Sequence, residues 1–300
     1  MDPAATSDPD QPSPKGRILI QSSWCAFGHV GLSAGAPVLQ ALGYDVTQLP
    51  TIILSNHKGW PHCAGAAIAP DQLHAMVGAL EANGWLDGHD GALIGYLPSS
   101  EHAAFAGDLV ARLRRAERPP RVLVDPVLGD APTGLYVPQD VAVSVRETLV
   151  PIADILTPNL FELGWLTGRP VSTLDETRVA ARVLTREGGL RSVLVTSPPL
   201  EAERAGVLAI GPETETATVY RTQRLPRVPN GSGDVFAALI AAGGGLPGTV
   251  IDAEMDGHRH DGVVGQGRHR DLGGQASVGV GGAATGDDGC RWGRRGGRAG

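Results

Sequence analysis

A short glycine-rich segment near residue 230 carries the clearest chemical signal in this sequence. Gly231, Ser232, Gly233 and Asp234 stand directly before an apolar run that predicts a helix. Closely spaced glycines let several backbone N–H groups point at one anion, and the helix dipole adds to the attraction. A carboxylate at Asp234 could accept the proton of an alcohol that attacks a phosphoryl group. The structural alternative is a loop that ends in a helix-capping Asp.

Two further groups of polar side chains follow apolar runs. Asp125 ends one such run and Asp130 follows a glycine turn, and carboxylates of this kind can hold Mg²⁺ through water or reach nucleotide phosphates through the metal. Thr157 precedes a predicted helix in which Asn159 and Glu162, three residues apart, project from one face. An Asx turn at Asp125 and a capping interaction between Asn159 and Glu162 are the alternatives.

Two polar segments in the first sixty residues are candidates for a substrate pocket. Residues 21–31 follow the first predicted strand and contain hydroxyl groups and glycines that could line a pocket. Residues 54–60 end another short strand with polar and aromatic side chains, which suits a flap over a ring-shaped substrate. A surface hairpin explains residues 54–60 equally well.

The elements that must position these residues alternate between short apolar runs and helical periods from residue 17 onward, which predicts a parallel sheet covered by helices on both faces. Predicted strands lie at residues 17–21, 45–49, 52–54, 92–95, 121–125, 152–157 and 192–196, and predicted helices at residues 31–41, 71–83, 101–115, 161–167, 174–186 and 235–242. Residues 206–210 and 217–221 predict an appended antiparallel pair, and Pro50 is expected to separate two strands. Ligands bind at the carboxyl ends of such strands, so we expect the polar segments to converge there.

Three regions are predicted along the chain. Residues 1–16 are polar and proline-rich and predict a disordered leader, and residues 17–248 form the main domain. Residues 249–300 are predicted to be a tail, since 15 of the last 50 residues of the chain are glycine. Such a stretch has too few apolar side chains to offset the conformational entropy lost on ordering. The tail is either a low-complexity segment or the product of a disrupted reading frame. We favour the disrupted reading frame, because no partner helices follow the helix at residue 235.

Composition excludes several classes of function. A net charge of −7 and a pI near 5.7 argue against a nucleic-acid or anionic-membrane binder, since either needs a basic face. No apolar run is long enough to span a bilayer. The 3 cysteines are far apart and, like the histidines, show no metal-ligand spacing. Small-molecule chemistry in a reducing cytoplasm is therefore expected.

Taken in order, these segments resemble the pyridoxal kinase family of the ribokinase-like superfamily over residues 17–246. The motifs that carry the resemblance are Ser22-Ser23 with residues 28–31, and residues 42–44, 55–57, 95–97, 125–130, 134–138, 157–162, 195–197 and 231–234. The Ser-Asn-His sequence at residues 55–57 favours pyridoxal over sugar kinases. Lys58, Trp24 and Phe27 depart from the smaller or polar residues usual in those loops of the family.

The resemblance implies a ribokinase-like α/β fold, a three-layer sandwich with a mostly parallel central sheet, helices on both faces and a small flap. It implies phosphorylation by ATP and Mg²⁺ of the 5'-hydroxymethyl group of pyridoxal, and also of pyridoxine and pyridoxamine, in vitamin B6 salvage. It further implies a homodimer, with K⁺ as an optional cofactor. The alternatives are a hydroxymethylpyrimidine-type kinase and a catalytically impaired relative that only binds vitamin B6.

The resemblance also implies roles for individual residues. Asp234 would be the catalytic base, beside an anion hole formed by Gly231, Ser232 and Gly233. The substrate ring would contact Ser23, Ile52, His57, Lys58, Gly59 and Tyr96 as well as Asp234. ATP would be bound by Asp125, Thr157, Glu162, Thr196 and Ser197, and the metal ion, through water, by Asp125, Asn159 and Glu162.

Overall fold

The computed structural model describes residues 14–187, 189–211 and 217–243. Its strands are β1 (Arg17–Phe27), β2 (Asp45–Asn56), β3 (Gly65–Ala67), β4 (Gly91–Ile94), β5 (Arg121–Val124), β6 (Gly129–Asp130), β7 (Gly134–Leu135), β8 (Ile155–Leu156), β9 (Ser192–Thr196), β10 (Arg204–Ile210) and β11 (Thr218–Gln223). Its α-helices are α1 (Leu32–Ala41), α2 (Pro70–Ala82), α3 (Ser100–Leu113), α4 (Gln139–Ser144), α5 (Leu160–Thr167), α6 (Leu174–Glu187) and α7 (Ser232–Ala242). None of the helices in these ranges has the length and apolarity needed to cross a membrane.

One sheet runs through the described residues in the order β11-β10-β9-β8-β5-β4-β1-β2-β3. The pairings from β9 through β8, β5, β4 and β1 to β2 are all parallel. Antiparallel strands extend it at both edges, β3 on one side and the β10–β11 pair on the other. The chain moves outward in opposite directions from β1 and β4, so a crevice is expected where the carboxyl ends of these two strands meet.

Two apolar layers cover the faces of the sheet, and alternation along β1 assigns its side chains to them. Ile18 and Ile20 pack with α1 and α7, whereas Leu19 packs on the opposite face with α2 to α6. All three side chains are buried, which explains why the strands of this sheet read as continuous apolar runs. The predicted three-layer α/β sandwich with a mostly parallel sheet is confirmed.

The prediction that Pro50 separates two strands is wrong. β2 is continuous, and the pairing of β1 with β2 instead shifts register between Ser22 and Ser23, opposite Pro50 and Ile52. The bulge takes up Thr51 at this point. On its other side β2 pairs with β3 only from Ile52 onward, so a missing N–H at Pro50 interrupts no pairing there.

Other boundaries also differ from the predicted ones. β1 continues past Gln21 to Phe27, so Ser22 and Ser23 lie in a strand and not in a loop. The strand predicted at residues 152–157 is reduced to β8. The β6–β7 hairpin, α4 and the π-helical turn Val145–Leu149 that continues it were not predicted. The antiparallel pair β10–β11 is confirmed. The tail at residues 249–300 lies outside the described residues, as does the leader up to residue 13.

Candidate active site

The carboxyl ends of the strands and the start of α7 enclose a cleft of about 530 Å³. Predicted site residues that line it are Asp125, Thr157, Asn159, Glu162, Thr196, Ser197, Gly231, Ser232, Gly233 and Asp234. These positions are more than 100 residues apart at the extremes of the list, and the parallel sheet brings them to one edge. All the residues predicted for the nucleotide and metal therefore share one cavity with the predicted base.

The start of α7 has the backbone geometry expected of an anion-binding loop. Gly231 is the N-cap and has a φ of 91°, in the left-handed region, and a Cβ there would overlap the carbonyl oxygen of His29. A glycine is therefore required at this position. The N–H groups of Ser232, Gly233 and Asp234 stand in the first turn of α7, where no intrahelical acceptor exists for them.

The Asp234 carboxylate lies half-buried in that first turn, three residues after the N-cap, so the simple alternative of an N-capping Asp does not describe it. Burial raises the pKa of Asp234 above its ordinary value, whereas the N–H groups of Gly31 and of Asp234 itself and the charge of His57 lower it. Gly31 is the N-cap of α1. Two helix starts therefore meet at this carboxylate, and its raised pKa suits a group that takes up a proton.

A second carboxylate lies deeper in the cleft, at the end of β5. Asp125 accepts a hydrogen bond of 2.8 Å at Oδ1 from the Thr157 hydroxyl, at the end of β8. Burial raises the pKa of Asp125 well above its usual range, and the negative charges of Glu162 and Asp234 raise it further. A half-buried carboxylate near two others is poorly compensated by the protein alone, so it would be stabilised by a cation.

Asn159 and Glu162 form the capping box that we considered as an alternative to metal binding. The Asn159 N–H donates to Glu162 Oε2 at 2.8 Å, and the Glu162 N–H donates to Asn159 Oδ1 at 3.0 Å. The other Glu162 oxygen accepts from the Leu128 N–H at 3.0 Å, and Asn159 Nδ2 donates to the Gly129 carbonyl at 2.8 Å. Both side chains line the cleft. Because their polar atoms are already engaged in hydrogen bonds, they would reach a metal ion through water.

Glu162 is nevertheless an unusual capping residue, because it is buried. Burial raises the pKa of Glu162 to about 7, although three backbone N–H groups, the first that of Asn159, lower it. Thr196 pairs with Asn159 in an isolated parallel bridge at the end of β9. The next residue, Ser197, has a φ of 52° and donates its N–H to the Gly206 carbonyl at 3.1 Å. The chain therefore turns sharply at the cleft.

Three of the predicted substrate residues come from β1, from β2 and from the segment just after β4. Ile52 and Tyr96 belong to a small apolar cluster with Cys25 and Leu54. Ser23, on the neighbouring strand β1, is held close to Gly31, because a Cβ on Gly31 would overlap the Ser23 carbonyl oxygen. This cluster does not line the cleft itself, and Gly31 links it to Asp234.

The segment between β2 and β3 forms the predicted flap and carries His57, Lys58 and Gly59. The Gly59 N–H donates to His57 Nδ1 at 3.1 Å. Lys58 Nζ lies 3.3 Å from the Tyr96 hydroxyl, so the flap touches the apolar cluster. The flap and the cluster thus lie side by side, and we call them together the apolar compartment. The charge of His57, in the flap, acts on Asp234 in the cleft.

Several residues that line the cleft were not among the predicted site residues. They are Val127, Tyr136, Ala205, Gly206, Val228, Pro229, Asn230 and Phe236. Asp130, which its motif alone had indicated as a metal-binding candidate, also lines the cleft. Asn230 stands inside a motif already singled out, which is the signal that could have found it. The apolar residues carry no chemical signal in the sequence, and only the folded chain brings them to this wall.

Comparison with known proteins agrees with this architecture. The sequence model of the phosphomethylpyrimidine kinase family matches residues 90–254. The chain is 40% identical to a pyridoxine/pyridoxal/pyridoxamine kinase of Bordetella avium over 231 residues, 75% of this chain and 76% of that protein. It is 38% identical to a pyridoxal kinase of Leifsonia xyli over 227 residues, covering 75% and 80% of the two chains.

A solved structure is similar as well. The pyridoxal kinase of Leishmania donovani in complex with ADP and pyridoxine superposes with a TM-score of 0.70 at 28% identity, over 75% of this chain and 78% of that one. Both the sequence relatives and the fold agree with the resemblance of the ordered motifs. The chain belongs to the pyridoxal kinase family and has its ribokinase-like fold.

Proposed function

We propose that this protein is a pyridoxal kinase that transfers the γ-phosphoryl group of ATP to the 5'-hydroxyl of pyridoxal, and of pyridoxine and pyridoxamine, in vitamin B6 salvage. One observation carries the proposal. Asp234 lines the polar cleft and accepts from the N–H of Gly31, which is in close contact with Ser23 beside the apolar cluster of Ile52 and Tyr96, so it lies at a junction between the two. A carboxylate at this junction can reach a hydroxyl group of a ring in one compartment and a phosphate in the other.

The proposed roles follow from this arrangement. The ring of the substrate occupies the compartment of Ser23, Ile52 and Tyr96 beneath the flap, and the nucleotide occupies the cleft with its phosphates toward α7. Asp234 accepts the hydroxyl proton as the oxygen attacks phosphorus, and the N–H groups at the start of α7 stabilise the charge on the transferred group. Positioning and electrostatics account for most of such a reaction, since the protein forms no covalent bond.

The nucleotide side fits a metal ion that is held mainly by the nucleotide. The described residues contain no group of three His, Cys, Asp or Glu side chains that could hold a metal ion by themselves. Mg²⁺ usually keeps several waters and binds through one or two carboxylates together with substrate phosphates. Asp125 is the carboxylate best suited to this, with Glu162 and Asn159 acting through water. Mg²⁺ would neutralise phosphate charge during transfer.

Several finer features are proposals that rest on the family. We propose that Thr157, Thr196 and Ser197 contact the nucleotide, that the enzyme is a homodimer in the cytoplasm, and that K⁺ can assist nucleotide binding. A second substrate class is favoured by one observation, the match of residues 90–254 to the phosphomethylpyrimidine kinase family. Phosphorylation of hydroxymethylpyrimidine is therefore the competing function, and a binder of vitamin B6 without kinase activity is the third.

The test compares the parent chain with Asp234→Asn. Formation of pyridoxal 5'-phosphate and release of ADP are measured with pyridoxal and with hydroxymethylpyrimidine as acceptors. We expect pyridoxal-dependent ADP release in the parent and a loss of about a hundredfold or more in kcat for Asp234→Asn, because the proton acceptor is removed.

The control is Asp71→Asn, since Asp71 is an exposed carboxylate in the first turn of α2. It should keep the parent rate. If Asp234→Asn stays within a few-fold of the parent, the assignment of the base is wrong. Tight binding of pyridoxal without ADP release would favour the binder, and faster turnover of the pyrimidine would favour the competing kinase.

A further inference from the structure

The flap carries a cation directly onto the wall of the apolar compartment. Lys58 Nζ lies 3.3 Å from the Tyr96 hydroxyl and 5.7 Å from the centre of the Tyr96 ring. Tyr96 packs against the cluster that contains Ile52. The ammonium group therefore stands beside the place where the proposed function puts the substrate ring.

The flap end of this contact is held by hydrogen bonds of one side chain. Asn56 Nδ2 donates to the carbonyl oxygens of His57 at 3.1 Å and of His62 at 2.9 Å. Its Oδ1 accepts from the Ser55 hydroxyl at 2.6 Å. These bonds span the loop on both sides of Lys58, so the backbone that carries the lysine has a defined position.

The strand end of the contact is equally constrained. The Tyr96 N–H donates to Ser22 Oγ at 3.2 Å, and the Tyr96 carbonyl accepts from Thr51 Oγ1 at 2.8 Å. Ser22 and Thr51 are both buried. The backbone of Tyr96 is thus tied to β1 and to β2, so the side chain that Lys58 contacts is presented from a defined position.

The charge of Lys58 is not neutralised by a close ion pair within the described part of the chain. No carboxylate there lies within 4.0 Å of Lys58 Nζ, which contacts the hydroxyl and the ring of Tyr96. A neutral hydroxyl and an aromatic face leave the full positive charge in place. Lys58 is exposed in the ligand-free protein, so water screens its charge there, and a ring bound against Tyr96 would displace part of that water and strengthen the interaction.

We propose that Lys58 is a specificity-determining residue that disfavours ring substrates with a cationic substituent. The inference rests on the proposed function and names which vitamers the site prefers. The aminomethyl group of pyridoxamine is an ammonium ion at neutral pH, whereas the aldehyde of pyridoxal and the hydroxymethyl group of pyridoxine are uncharged. A cationic substituent that came within about 5–7 Å of Lys58 Nζ would be repelled enough to change relative affinity by roughly five- to tenfold at an effective dielectric constant of about 50.

The experiment compares Lys58→Met, which keeps the length but removes the charge, with Lys58→Arg, which keeps the charge. Equilibrium Kd and kcat/KM are measured for pyridoxamine and pyridoxine, two rings that differ only in the 4' substituent. We expect the preference for pyridoxine to fall by about five- to tenfold in Lys58→Met and to stay within about twofold of the parent in Lys58→Arg. Added salt should weaken the preference in the parent but not in Lys58→Met.

A Lys58→Met variant that changes both substrates by the same factor would overturn the proposal, because the lysine would then only hold the flap. So would a parent enzyme that binds pyridoxamine as well as pyridoxine at low salt. The Kd ratio needs no turnover, so it tests Lys58 even in a chain that proves inactive. An inactive parent with the expected Kd ratio would contradict the kinase function and leave the charge discrimination standing.

Discussion

Gly231 and Gly233 provide a matched pair of substitutions in one loop. In Gly231→Ala the new Cβ would overlap the His29 carbonyl oxygen, and the φ of 91° is unfavourable for any residue with a Cβ. The conformation costs about 1–2 kcal/mol, and relief of the overlap costs about 1–3 kcal/mol more. We therefore expect the free energy of unfolding to fall by about 2–5 kcal/mol. The relief must also move the start of α7, and a shift of about 1 Å at Asp234 lowers kcat by roughly a hundredfold.

Gly233→Ala is the control, because a Cβ there meets no atom within 4 Å and no positive φ is required. Alanine should keep or raise stability, by up to about 1 kcal/mol, since glycine is the poorer helix former. Urea unfolding and pyridoxal-dependent ADP release measure the two effects. A Gly231→Ala protein as stable as Gly233→Ala and as active as the parent would refute the geometry described for this loop.

Two further predictions concern the flap and the buried acid. Asn56→Ala removes the hydrogen bonds that span the flap, so the KM for pyridoxal should rise by roughly tenfold while kcat stays within a few-fold. Asn83→Ala, at an exposed position, is the control. An unchanged KM in Asn56→Ala would contradict the prediction. The pKa of Glu162 is raised from its ordinary value of 4.5 to about 7 in the folded protein, so folding takes up a proton between these two pH values. The contribution of Glu162 to the free energy of unfolding is therefore fully present below about pH 4.5 and is lost as pH rises to about 7. The ligand-free protein should lose about 3 kcal/mol of unfolding free energy from this group between roughly pH 4.5 and 7. In Glu162→Gln the plot of unfolding free energy against pH should be flatter, and equal slopes in the parent and the variant would contradict the prediction.

Much of the fold could be predicted because the apolar runs and the helical periods are both short and clear. Residues 192–196 form β9 with the predicted bounds, and α1, α2 and α6 differ from prediction by a residue or so. The error at Pro50 has a physical reason. A proline interrupts a strand only where its missing N–H breaks a pairing, and the bulge opposite Ser22 cannot be read from one sequence. The valine-rich α4 was missed because such residues favour strands unless packing overrides their preference.

The candidate site could be predicted where its reactive side chains lie in short local motifs. The polar residues after strands meet in one cleft because parallel strands end at the same edge. The division into two compartments was not predictable, since it depends on the order of strands in the sheet. The hydrogen bonds between Asn159 and Glu162 show a further limit, because the same two residues both begin α5 and line the cleft. The residue types in a motif do not show whether a given side-chain oxygen atom caps a helix or contacts a ligand.

The meeting of two helix starts at Asp234 has a consequence for how the enzyme would respond to its surroundings. The positive potential at this point comes mainly from the N-terminal ends of α1 and α7, that is, from peptide groups, to which His57 adds a smaller contribution. Peptide dipoles have no pKa. The larger part of the attraction of a phosphoryl group to this point should therefore persist across acid and alkaline conditions, and any pH dependence of turnover would report the ionisable side chains of the site and the nucleotide itself.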